Sequence, residues 1–111
     1  KDNTNCSLES FCEMVARTSE VMGVKNLGIG SDLCLNQPDE IVEWMRNGTW
    51  SKGKNYGEGS KNKPGFPKQP DWFKDARGFK NLEMGLKKIG FNNNEVMDIL
   101  GNNWFNFYKN I

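Results

Sequence analysis

The chain has 111 residues, 36% of them hydrophobic and 26% charged, with 15 basic and 14 acidic side chains and a formal net charge of +1. That is the size and balance of one small folded domain, and it excludes a complete eight-stranded α/β barrel, which needs about 250 residues, as well as general disorder. It also lacks the strongly basic footprint by which nucleic acid or an anionic membrane surface is bound.

Leu8, Phe11, Cys12, Val15 and Met22 recur at helical spacing, with Ser7 as N-cap and Gly23 as a left-handed C-cap. Between Gly23 and the next turn, Val24 to Gly30 has the length and bounding of a buried strand. Gly28 and Gly30 mark a place on it where a ligand or another backbone comes close.

A second helix is predicted over 38–47. Pro38 suits its first turn, Asp39 and Glu40 its positive end, and Ile41, Val42, Trp44 and Met45 its apolar face, with Gly48 as its stop. From Thr49 to Pro70 the chain is rich in Gly, Lys and Pro with Trp50, Tyr56 and Phe66 interspersed, which reads as a long ordered lid.

Asp71 caps a short turn through Trp72 and Phe73, and Leu82, Leu86 and Ile89 give a helix ended by Gly90. Asn92 with Glu95 forms an Asn version of the capping box, turning Val96, Ile99 and Leu100 inward until Gly101 breaks the helix. Trp104, Phe105, Phe107 and Tyr108 make an aromatic final helix that ordinarily packs back on its own domain. The whole reads as a single piece, 1–111, predominantly α with one or two short strands.

No apolar run approaches the roughly 18 residues of a membrane span, and no signal-peptide pattern stands at the amino end. The chain starts at Lys1 rather than Met, which leaves trimming of the natural amino terminus open. Cys6, Cys12 and Cys34 are odd in number and lack metal-type pair spacing, so they read as free thiols of a reducing compartment, favouring the cytoplasm. Asn5-Cys6-Ser7 and Asn47-Gly48-Thr49 match a glycosylation sequon that arises readily by chance.

The feature with chemical content is Leu27-Gly28-Ile29-Gly30-Ser31-Asp32, a short apolar strand delivering one carboxylate at its tip. Alone it is also ordinary turn chemistry, and it is no dinucleotide fingerprint, since the third glycine is missing. Cys34 is no nucleophile candidate, because the chain has no histidine to activate it. Lysines interleaved with Trp50, Tyr56 and Phe66 faintly suggest single-stranded nucleic acid, against which the balanced charge argues.

From about Leu8 to Tyr108, the order of strand tip, acidic helix, long loop and helical pair closing on Gly101-Asn102-Asn103 resembles the C-terminal part of the membrane (renal) dipeptidase family. The resemblance implies a C-terminal fragment of a (β/α)8 TIM-barrel, amidohydrolase-like zinc hydrolase. It implies that Asp32 stands at the last strand near two zinc ions, to orient or deprotonate the attacking water and later protonate the leaving amine. Many relatives read Gly-Ser-Asp-Phe-Asp-Gly where this chain has Gly30-Ser31-Asp32-Leu33-Cys34-Leu35, which confines the inherited role to Asp32.

The stretch through Asp39, Trp44, Trp50, Tyr56-Gly57-Glu58-Gly59-Ser60 and Trp72-Phe73 is similar to a bacterial dipeptidase-like branch with an enlarged final loop. It adds Ser31, Trp50 and Tyr56 as substrate-pocket residues. Zinc belongs to the complete enzyme, its histidine and acidic ligands lying on strands absent from this sequence, and none is expected here. The partners implied are the missing N-terminal barrel part and further copies of the chain meeting through exposed apolar faces. The alternative is a small helical self-associating or protein-interaction domain without catalysis.

Overall fold

The Ser7 hydroxyl accepts a hydrogen bond from the Ser10 backbone N–H at 3.1 Å, satisfying a donor that the first helical turn leaves without a carbonyl. Helix α1 follows over Leu8–Met22 in the computed structural model, which describes residues 6–46 and 68–111. Cys12 and Val15 are buried on its inner face, flanked by half-buried Leu8 and Phe11. Gly23 ends it with φ 79 and ψ 143, so φ is positive as expected while ψ lies outside the left-handed helical region.

The strand expected over Val24 to Gly30 is absent, and no strand occurs among the described residues. Val24–Asn26 is one turn of 3-10 helix, and the backbone becomes extended at Leu27, with φ −103 and ψ 136. An extended segment is a strand only when a second backbone ladders with it. Here side chains fill that place on one side. The predominantly α character stands.

The chain divides into two units, Lys1–Asp32 with Pro70–Ile111, and Leu33–Gln69. In the second, Asn36 adopts a positive φ of 57 in a turn, and α2 runs over Asp39–Arg46 with both acids in its first turn. Val42 is buried on it, whereas Ile41 and Trp44, expected on its apolar face, are exposed. The Met45 side chain, Asn47, Gly48 and the expected lid from Thr49 to Pro67 lie outside the described residues.

In the first unit α1 packs against α3, Phe79–Ile89. A turn through Asp71–Phe73 precedes it, closed by the Phe73 N–H on the Pro70 carbonyl, while the Asp71 carboxylate pairs with Lys74 at 3.0 Å. Asp75 then caps a 3-10 turn, Ala76–Gly78. The Trp72 indole donates to the Cys6 carbonyl at 2.8 Å and its ring lies 5.4 Å from that of Phe11, tying this turn to the start of α1. Gly90, with φ 119 and ψ 0, ends α3.

Asn92 and Glu95 form the reciprocal capping box, each side chain accepting from the other's backbone N–H at 3.0 and 2.9 Å. Helix α4, Asn93–Met97, does not stop at Gly101. A π turn over Asp98–Asn102 carries it directly into α5, Asn103–Lys109. The wider π ring absorbs an extra residue without releasing the helical path, so a glycine within it changes the direction of side chains and does not end the helix.

The core of this unit is Cys12, Val15, Leu86, Val96 and Ile99. Leu86 and Ile99 are fully shielded from solvent, each contributing about 1.5–3 kcal/mol of apolar burial. The aromatic final helix forms, but its expected packing back on the domain is largely absent. Phe105, Phe107 and Tyr108 are 67%, 59% and 66% exposed, and Trp104 and Tyr108 stack on each other.

Candidate functional site

The tip that carries Ser31 and Asp32 is positioned from the opposite end of the chain. The two N–H groups of the Asn103 side-chain amide donate to the carbonyls of Val24 and Leu27, both at 2.7 Å. One helical step further, the Trp104 indole N–H donates to the Ile29 carbonyl at 3.2 Å. These bonds fix Val24 to Ile29 along the start of α5, and Leu27 and Ile29 pack against the core cluster. The π turn sets the rotation at which α5 presents Asn103 and Trp104 to this segment.

Gly28 is required for that approach. A Cβ built there would lie 2.5 Å from Trp104 Nε1, closer than any non-bonded carbon tolerates. Gly30, in contrast, faces open space, with nothing within 4 Å of a Cβ. The glycines expected to mark a close approach therefore differ, and only Gly28 has a neighbour pressed on it.

Two residues beyond Gly30, Asp32 has φ 48, a left-handed backbone that costs a non-glycine residue on the order of 1 kcal/mol and that Asp tolerates better than most. Both Ser31 and Asp32 are exposed. A cleft of ≈ 220 Å³ runs beside Leu27, Gly28, Ile29 and Gly30, walled by Phe11, Met14, Val15 and Thr18 of α1 and by Ile99. It reaches Gly30, just short of Asp32. Trp50 and Tyr56, the other expected pocket residues, lie outside the described residues.

The residues present do not fit a zinc centre. Histidine is missing from the sequence, and among the described residues no three His, Cys, Asp or Glu side chains come together as ligands would. Cys6 and Cys34 are exposed free thiols. Cys12 is buried between helices, and that burial, aided by Cys6, pushes its thiol pKa above the ordinary value. It is thereby less reactive as a nucleophile.

The strongest electrostatic perturbation lies elsewhere. Hydrogen bonds from the Arg77 side chain and backbone, with a smaller Coulombic contribution, hold the Asp75 carboxyl down at about 2. This pair is an exposed cap that fixes the entry to α3. Sequence reasoning missed Asn103 and Trp104 as the groups that hold the tip. The available signal was a polar amide immediately before an aromatic run, on a helix otherwise apolar enough to be read as packing alone.

No helix of the described residues is long and apolar enough to cross a membrane. None of the family models, curated proteins or solved structures compared with this chain matches it.

Proposed function

We propose that the chain is the C-terminal portion of a membrane-dipeptidase-like metallohydrolase, a fragment of a TIM-barrel fold that contributes Asp32 to a dipeptide-cleaving site. The observation that carries this reading is the conformation of Asp32. It is an exposed carboxylate in a left-handed backbone at the end of an extended segment whose preceding carbonyls are clamped by Asn103 and Trp104. Backbone strain beside an immobilised tip is the kind of feature that functional sites retain. The metal ligands belong to parts of the enzyme outside this sequence, so the isolated chain neither holds zinc nor hydrolyses dipeptides.

The test extends the reading frame upstream of the Lys1 codon and expresses the longer product. That product is expected to bind zinc by mass spectrometry and to cleave a simple dipeptide. Its Asp32→Asn variant keeps the metal and loses at least a hundredfold in rate, in line with the contribution of a general acid–base group. A longer product without zinc, or one whose cleavage is indifferent to Asp32→Asn, overturns the reading.

A second reading rests on the open aromatic side of α5. Phe105, Phe107 and Tyr108, all exposed within a single turn of α5, fit a helical self-associating or interaction domain without catalysis. Light scattering separates the two states of the isolated chain. A concentration-dependent dimer lost in Phe105→Ser/Phe107→Ser favours this reading, and a stable monomer at high concentration removes it.

A further inference from the structure

The π turn before α5 holds one residue more than an α-helix would over the same path. Its closing bond carries this, since the Asn103 backbone N–H reaches the Asp98 carbonyl five residues back, where an α-helix reaches four. Returning the turn to α geometry advances every residue of α5 by about 1.5 Å and about 100° around the axis. Each place on the helix is then filled by the residue one earlier in the chain.

Three observations say what that exchange does in this molecule. The residue before Asn103 is also asparagine, so the place from which an amide donates to the Val24 and Leu27 carbonyls receives an identical side chain. Asn102 gives up little to move there, because its amide donates only to the exposed Asp98 carboxylate, at 3.1 Å. Beyond Trp104 the helix is exposed, and a cleft of ≈ 430 Å³ borders Gly28, Trp104 and Phe107, so turning α5 breaks almost no packing. The residue whose surroundings change is Trp104. Asn103 replaces it beside Gly28, and the indole leaves the Ile29 carbonyl.

We propose that α5 has two registers one residue apart, the π register of the structure and an α register in which Asn102 takes over the clamp and Trp104 lets go of Ile29. The Asn102-Asn103 pair keeps the Val24 and Leu27 carbonyls held in both, so the exchange loosens only the far end of the segment, towards Ser31 and Asp32. It is a device that sets how firmly the tip is held. It does not depend on the dipeptidase reading, because it concerns the helix alone and its readout is not cleavage.

Gly28→Ala selects between the registers, since a Cβ 2.5 Å from Trp104 Nε1 excludes the indole, which the smaller Asn103 side chain replaces in the α register. In this variant, nuclear Overhauser contacts from the Asn102 side-chain amide to Val24 and Leu27 are expected in place of those from Asn103. Deleting Gly101 removes the extra residue, so Asn103 and Trp104 keep their places in a continuous α-helix and the second register is lost. Helix register shifts fall in the microsecond to millisecond range. Relaxation dispersion at the Trp104 indole N–H is therefore expected in the unsubstituted chain, reduced at least tenfold by the Gly101 deletion. Missing Asn102 contacts in Gly28→Ala overturn the proposal, whether Asn103 stays with the indole swung aside or both amides are lost. A flat dispersion profile in the unsubstituted chain overturns it too, a measurement that needs no variant to fold.

Discussion

The side-chain amide of Asn103 lies 2.7 Å from the Leu27 carbonyl, across 76 residues of sequence, and uses its second hydrogen on Val24. One planar group thus closes two backbone acceptors at the point where the chain leaves a 3-10 turn and becomes extended. The amide NH2 can do this because it carries two donors and both partners accept. Asn103→Ala is therefore expected to cost about 1–3 kcal/mol, the range for leaving a partly buried acceptor without a donor; the Leu27 carbonyl is that acceptor, while the Val24 carbonyl keeps the Leu27 N–H. Asn103→Asp is expected to cost more at neutral pH, since a carboxylate faces two carbonyls with nothing to donate. That excess shrinks as the acid protonates near pH 4. Urea unfolding of the three proteins at pH 7 and pH 4 measures both effects, and equal losses for Ala and Asp at pH 7 contradict the geometry.

The α1 to α3 contact depends on a position without a side chain. A Cβ on Gly85 would lie 2.7 Å from Cys12 Sγ and 3.0 Å from Leu8 Cγ, and Cys12 is only 1% exposed. In an open helix Gly→Ala gains about 1 kcal/mol. Here overpacking of about 1–3 kcal/mol opposes that gain and makes Gly85→Ala net destabilising. Removing the sulfur should relieve the clash, so Gly85→Ala costs less in a Cys12→Ala background than alone. A double-mutant cycle with a coupling near 1 kcal/mol is expected. Strict additivity would place the helices farther apart than described.

How legible these relationships were depends on their range. Ser7, Asn92 with Glu95, and Gly90 were readable because a cap bonds to backbone within four residues of itself. Leu82, Leu86, Val96 and Ile99 were readable because helical spacing puts them on one face. The strand over Val24 to Gly30 was misread for the opposite reason. Apolar residues between glycines specify an extended path, but a ladder needs a partner chosen by tertiary structure, and side chains from residues 103 and 104 took that role. Gly101 reads as a stop because low helix propensity is local, whereas the π turn that carries the helix past it includes buried Ile99. Asp32 was legible as the end of an extended run, but its positive φ was not.

That φ yields a prediction independent of any activity. At φ 48 an L residue with a Cβ is less stable than glycine, so Asp32→Gly is expected to raise stability by about 0.5–1 kcal/mol. Asp32→Ala, which keeps the Cβ and loses the polar tip that eases this conformation, is expected to lower it by a similar amount. Thermal and denaturant unfolding distinguish the pair. If glycine brings no gain, the left-handed conformation is not held in solution, and Asp32 carries no strain that would mark a functional site.

The Asp75 cap supplies the pH dependence. Its carboxyl has a folded-state pKa of about 2 against an ordinary 3.8, lowered first by the Arg77 side-chain hydrogen bond and then by the Arg77 backbone N–H. A carboxyl with a depressed folded pKa binds its proton more readily in the unfolded chain. Its stabilising contribution is accordingly complete above about pH 4 and disappears as the pH falls from 3.8 toward 2. Because the pair is exposed, salt should weaken the part of the shift that comes from charge. NMR titration of the Asp75 carboxyl is expected to show the low midpoint. Arg77→Ala should bring it partway back toward 3.8, since the backbone N–H at position 77 survives the substitution. A return to the ordinary value in Arg77→Ala would mean that the side chain alone carries the shift, and an unchanged midpoint would mean that the backbone cap alone does.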